Sequence, residues 1–145
     1  MKNIVLIILL AAVITSCNKQ TAEEKLTNLN GYWEIEKVEF SRDSIKEFRM
    51  SENVDYFEIE DGIGFRKKVR PQYDGTYIVT EDEEKIEAKI ENDSLNLYYS
   101  TPFDSWKETV LKAGEDKMSI KNNRGIIYHY KRFKSLLSEL DEEEI

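Results

Sequence analysis

The stretch Leu29-Asn30-Gly31-Tyr32-Trp33-Glu34-Ile35-Glu36-Lys37-Val38-Glu39-Phe40 decides how the rest of the sequence is read. Trp33 and Ile35 share one face of an extended strand, and Val38 and Phe40 share one again after a slip of a residue near Glu36-Lys37. Side chains alternate with a period of two along a strand, so such a slip marks a β-bulge. A strand that begins at a glycine and carries a tryptophan in its first turn of alternation sets the pattern for the remainder of the chain.

Downstream, the sequence continues as short alternating segments joined by turns. Ser41 to Asn53 forms a long loop with Ile45, Phe48 and Met50 at helix-like spacing, which makes it a candidate lid. Val54 to Glu60 and Ile63 to Arg70 read as strands across Asp61-Gly62, a turn pair that tolerates positive φ. Asp74-Gly75 is a second such signal before Thr76 to Thr80, and Glu81 to Glu84 reads as a solvated acidic turn. Ile86, Ala88 and Ile90 then alternate with charged residues, and Asn92-Asp93 turns the chain into Leu95, Leu97 and Tyr99.

Strand patterns resume at Trp106 to Leu111, at Met118 and Ile120, and at Ile126 to Lys131. Phe133, Leu136, Leu137 and Leu140 have the spacing of an apolar helical stripe, expected to cover the outer face that carries Ile127 and His129. Eight or nine short strands with local turns read as an all-β, up-and-down antiparallel barrel with a short helix at each end, because closure removes exposed strand edges.

Upstream, Lys2 precedes an apolar run from Ile4 to Ile14, too short to span a bilayer and of the right length for an export signal. Ile14-Thr15-Ser16-Cys17 resembles the lipobox of bacterial lipoproteins, in which the Cys is lipidated and becomes the mature N-terminus. Cys17 is the only cysteine, so an exported chain has no internal disulfide to make with it. The expected organisation is a signal peptide over residues 1–16, a tether and short helix over 17–28, and a barrel domain with its C-terminal helix over 29–145. Thr21 with Glu24 fits a capping box opening the short helix. The expected location is the bacterial cell envelope, lipid-anchored to the outer membrane on its periplasmic or surface side, with the membrane as a partner through Cys17. The net charge of −8 over 145 residues argues against nucleic acid as a partner, because a binder needs a positive face to displace counterions.

At Gly31-Tyr32-Trp33 the chain resembles the lipocalin-like proteins. Their first strand opens with Gly-x-Trp after a short helix, their first inter-strand loop is long, and a helix follows their last strand. The resemblance implies an eight-stranded barrel with one closed end, plugged by Gly31 and Trp33 with an arginine packed over the indole, and one open end holding a small hydrophobic ligand. Arg132 and Arg124 both lie near the last strand, and the sequence leaves the choice between them open.

Lining candidates, with Trp33, are Ile35, Tyr56, Phe65, Lys67, Tyr77, Ile86, Ala88, Ile90, Leu95, Leu97 and Tyr128. Lys67 shares a face with Phe65 and Val69, where a buried ammonium would need an anionic partner; a snorkelling surface lysine is the competing reading. Glu108, on the face of Trp106 and Val110, poses the same alternative. His129, the only histidine, stands without a neighbouring triad, and no nucleophile elbow or zinc-ligand cluster is present in the sequence. The expectation is a binding protein, not an enzyme, with no cofactor and no metal. A filled barrel that binds another envelope protein is the alternative, and a cavity above about 300 Å³ would favour the ligand carrier.

Overall fold

The computed structural model describes residues 19–135. The expected export signal, Cys17, Leu136, Leu137, Leu140 and the acidic run 141–144 lie outside the described residues.

Among the described residues one short helix, α1 (Ala22–Thr27), is followed by nine strands: β1 (Gly31–Ser41), β2 (Ser44–Glu47), β3 (Val54–Glu60), β4 (Ile63–Pro71), β5 (Tyr77–Glu91), β6 (Ser94–Ser100), β7 (Ser105–Ala113), β8 (Lys117–Asn122) and β9 (Ile127–Arg132). All pair antiparallel in chain order from β3 to β9. β1 bonds β3 on one side and β9 on the other, which closes β1 and β3 to β9 into a barrel of eight strands. β2 stands outside that closure as a hairpin on the far half of β1.

The slip expected near Glu36-Lys37 is present. Ile35 faces Tyr130 and Lys37 faces His129, so Glu36 is the extra residue, and the bulge returns Val38 to the interior opposite Tyr128. Asp61 and Gly62 adopt the positive φ values that the β3–β4 turn requires, as do Asn92 and Asp93 between β5 and β6.

Two segments differ from the sequence reading. Residues 41–53 contain β2, because Lys46 and Glu47 find ladder partners in Val38 and Lys37. Glu81 to Glu84 is not a turn: β5 runs through it, with Glu83 opposite Lys67 and Glu84 opposite Arg66. An acidic run beside a basic run supplies cross-strand attraction that a single strand's composition does not reveal.

The packed core fills one part of the barrel. Phe57, Ile86, Leu95, Leu97, Val110, Met118 and Ile120 are buried there, with Leu29 and Ala22 brought in beneath by α1. The capping box forms as expected, Glu24 N–H donating to Thr21 Oγ1 at 3.2 Å and Thr21 N–H to Glu24 Oε2 at 2.9 Å. α1 is tied to the end of β7: the Gln20 side chain donates to and accepts from the Ala113 backbone, and Lys25 Nζ donates to the Val110 carbonyl at 3.3 Å. This is the closed end. The segments around residues 41–53, 72–76, 101–104 and 122–126 form the opposite, open end.

Candidate functional site

The closed end is built on Trp33. Its indole is fully buried, and Nε1 donates to the Leu29 carbonyl at 2.8 Å. Arg132, its direct cross-strand partner, lays its guanidinium over the ring at 3.8 Å from the centroid. A cation over an indole face is attracted by the ring quadrupole, and here the donors are also used. Arg132 donates to the carbonyls of Glu115 at 2.8 Å, Asn30 at 2.6 Å and Asn28 at 3.0 Å, drawing the start of β1, the β7–β8 turn and the α1 exit together. The choice left open in the sequence therefore falls on Arg132.

Gly31 has a structural reason in the same place. Its φ is +116°, and a Cβ there would meet Arg132 Nη1 at 2.7 Å.

Above the plug, directly opposed residues share a face, so the ladder identifies which side chains enter the barrel. Trp33 faces Asp55, and Asp55 faces Lys68. Phe57 faces Arg66, and Arg66 faces Glu84. Ile86 faces Tyr99, Tyr99 faces Trp106, and Leu97 faces Glu108. The inner wall thus carries acids and bases among aromatic and aliphatic groups.

A half-open cavity of about 280 Å³ occupies the space between the plug and the open end. It is lined by Trp33, Ile35, Ser51, Asn53, Asp55, Arg66, Lys68, Glu108, Tyr128 and Tyr130. Its volume sits just under the ~300 Å³ usual for ligand pockets. The candidate lid supplies Ser51 and Asn53. A wider depression of about 570 Å³, more open to solvent, lies over β5 to β7 and mixes residues of both sheet faces.

Arg66 is the electrostatic centre of the interior. Its Nε pairs with Glu84, its Nη1 lies 3.6 Å from Glu108 Oε2, and its guanidinium lies 4.6 Å from the Tyr99 ring centroid. Burial opposes its charge, but the carboxylates of Glu84 and Asp55 act against that, and the guanidinium stays protonated. Lys68 Nζ meets Asp55 Oδ1 at 2.8 Å. Burial pushes the Glu108 carboxyl above its ordinary range, against the opposing pull of Arg66 and Tyr99. The Tyr99 hydroxyl is buried without a hydrogen-bond partner, and Arg66 and Glu108 are the charges that act on it most.

The sequence-derived lining candidates separate into three groups. Ile35 and Tyr128 line the cavity with Trp33. Ile86, Leu95 and Leu97 belong to the packed core, Ala88 packs against it, and Ile90 is exposed. Tyr56, Phe65, Lys67 and Tyr77 face outward, which corrects the facing expected for them. Lys67 pairs with Glu83, and Tyr32 bridges Tyr56 and Tyr77 with centroid distances of 4.6 and 4.5 Å. This outer aromatic strip covers Val54 and Val69, which are buried although they point away from the barrel interior.

Phe133 joins the strip edge-on to Tyr77 at 6.4 Å, with its N–H donating to the Tyr32 carbonyl. Phe133 is the first residue of the expected terminal apolar stripe; Leu136, Leu137 and Leu140, the rest of it, lie outside the described residues. His129 faces outward and lies 3.4 Å from Glu39. Among the described residues no three His, Cys, Asp or Glu side chains are gathered to hold a metal ion.

Sequence reasoning missed Arg66, Asp55, Lys68 and Glu84. The one signal for Arg66, Lys68 and Glu84 was the complementarity of the basic run 66–68 and the acidic run 81–84, and none marked Asp55.

An antiparallel barrel of eight strands, plugged by a tryptophan under an arginine and open at the other end onto an interior pocket, defines the class of this molecule. Its sequence matches the family model of the lipocalin-like domain over residues 29–120, and the chain belongs to that family. Among curated proteins none matches it. Among solved structures it is similar to a lipocalin-like protein from Bacteroides uniformis, at 8% identity and a TM-score of 0.47 over 73% of this chain and 99% of that one. It is also similar to lobster apocrustacyanin A1, at 11% identity and a TM-score of 0.45 over 86% of this chain and 73% of that one.

Proposed function

We propose that this protein is a lipid-anchored binding protein of the bacterial envelope whose barrel holds one small molecule with both apolar and polar parts. At about 280 Å³ the cavity falls short of the size expected of a ligand carrier, and the observation that carries the reading is its lining, Trp33, Ile35 and Tyr128 beside buried charged groups. The polar lining modifies the purely hydrophobic ligand expected from the sequence, and the volume limits the occupant to a small molecule. We read the site as a binder, not a catalyst, because its charged groups are engaged with one another and His129 lies on the outside.

Anchoring rests on the leader and on Ile14-Thr15-Ser16-Cys17. Only Asn18 and Lys19 separate Cys17 from Gln20, which is bonded to Ala113 at the closed end. Three residue steps span roughly 10 Å at most. A lipid on Cys17 would therefore hold the closed end against the bilayer and leave the mouth opening away from it.

Native mass spectrometry of the protein released from membranes of its own host tests the binding reading. A stoichiometric small molecule, absent after Ile35→Trp fills the cavity in a protein that keeps its circular dichroism spectrum, is the expected result. Ligand-free protein that also binds nothing from an extract of the same cells would contradict it.

A further inference from the structure

The charges around the cavity are unequally paired. Arg66 and Lys68 stand against Asp55, Glu84 and Glu108. The Lys68 side chain is 61% exposed, so water screens its charge, and Asp55 already holds it. The Arg66 side chain is 12% exposed and takes Glu84 as its direct partner. Glu108, with its side chain 9% exposed, is left with one longer contact to an arginine that is already engaged. The Tyr99 hydroxyl beside it makes no hydrogen bond of ordinary geometry and, being neutral, eases the Glu108 charge without balancing it. Lys25, the other buried cation, bonds the Val110 carbonyl, so Glu108 is the cavity-lining charge with the weakest counter-charge.

A buried carboxylate without sufficient counter-charge is costly, and a ligand that brings the missing positive charge recovers that cost. An anionic ligand meets the opposite situation, because Arg66 and Lys68 are occupied and Glu108 repels it.

We propose that the cavity takes a small organic cation, an alkyl- or arylammonium, with its charge against Glu108 and its apolar part against Trp33, Ile35 and Tyr128. This rests on the binding reading given above and names the ligand class for the same site. The volume admits a single ring or a short chain.

Benzylamine, benzyl alcohol and benzoate, of similar size and different charge, test the inference when titrated calorimetrically into the full chain in detergent at neutral pH. Benzylamine should bind about tenfold or more tightly than either of the others, and E108Q should lose that preference while keeping its circular dichroism spectrum. Should E108Q fail to fold, the wild-type pH profile decides. Benzylamine affinity should fall as the pH drops and Glu108 takes up a proton in the presence of Arg66, Glu84, Asp55, Lys68 and the neighbouring tyrosines, whereas benzyl alcohol should show no such fall.

Benzoate binding as tightly as benzylamine, a preference that survives in E108Q, or a flat pH profile for the amine would each overturn the inference and leave the binding reading standing. Failure of all three probes overturns it as well, and the mass spectrum of the host-derived protein then shows whether the binding reading falls with it.

Discussion

Arg66 is the side chain on which the interior most depends. It is the nearest cation to Glu84 and to Glu108, both of which the ladder turns into the barrel. Removing one partner of a buried ionic cluster leaves the others uncompensated, which typically costs about 3–5 kcal/mol. Arg66→Met should therefore lose about 3–5 kcal/mol in urea unfolding at neutral pH. The loss should shrink in acid as the carboxylates protonate; an R66M protein as stable as wild type at neutral pH would contradict the cluster.

Glu108 behaves in the opposite sense. Its folded pKa lies above the ordinary value, so its contribution is fully present below about pH 4.3 and is lost as the pH rises through the folded value. Glutamine mimics the protonated form at every pH. Glu108→Gln should accordingly match wild type in acid and become the more stable of the two towards neutrality, with thermal melts across that range as the check. A variant less stable than wild type at neutral pH would show that the Arg66 contact outweighs burial.

At the level of elements, legibility followed the dryness of each strand's faces. The alternation of Ile86 and Ala88 and of Leu95 and Leu97 could be read because one face packs against a dry core and the other meets water. Asp61-Gly62, Asn92-Asp93 and the slip at Glu36 could be read because turns and bulges carry local signals. β4 was misread for a physical reason. Its apolar set, Phe65 and Val69, lies under an outer strip of tyrosines, while Arg66 and Lys68 enter a polar pocket.

Only the register from Trp33 through Asp55 to Lys68 distinguishes those two faces, and register is a property of the sheet. β2 was missed because four exposed residues on one edge of β1 leave no burial pattern to find. The same weakness predicts its dynamics. Amides of residues 44–47 should exchange with solvent deuterium far faster than those of β6, which is paired on both sides around Leu95 and Leu97. Protection of β2 equal to that of β6 would show that this hairpin is an integral part of the barrel.

For the whole molecule, the polarity of the barrel sets how it meets its surroundings. α1, Gln20 and the Trp33–Arg132 plug gather at one end, and the cavity opens towards the other. Phe40, Ile45, Met50, Tyr73 and Phe103 are exposed around that mouth. With lipid on Cys17, a fluorophore at Asp93, in the β5–β6 turn of the closed end, should be quenched by a bilayer-embedded quencher. One at Phe103 should not be; quenching at Phe103 would contradict the proposed orientation.

The central claim is that an incompletely filled, charged cavity between the Trp33 plug and the mouth is where this protein meets a small molecule. Amide chemical-shift mapping during titration with a mixture of small amines, alcohols and carboxylates tests it most directly. Shifts concentrated at Ile35, Asn53, Asp55, Lys68, Glu108 and Tyr128, with Leu95 and Leu97 unmoved, are the predicted result. Shifts confined to the outer strip of Tyr32, Tyr56, Phe65 and Tyr77, or no shifts at all, would contradict it.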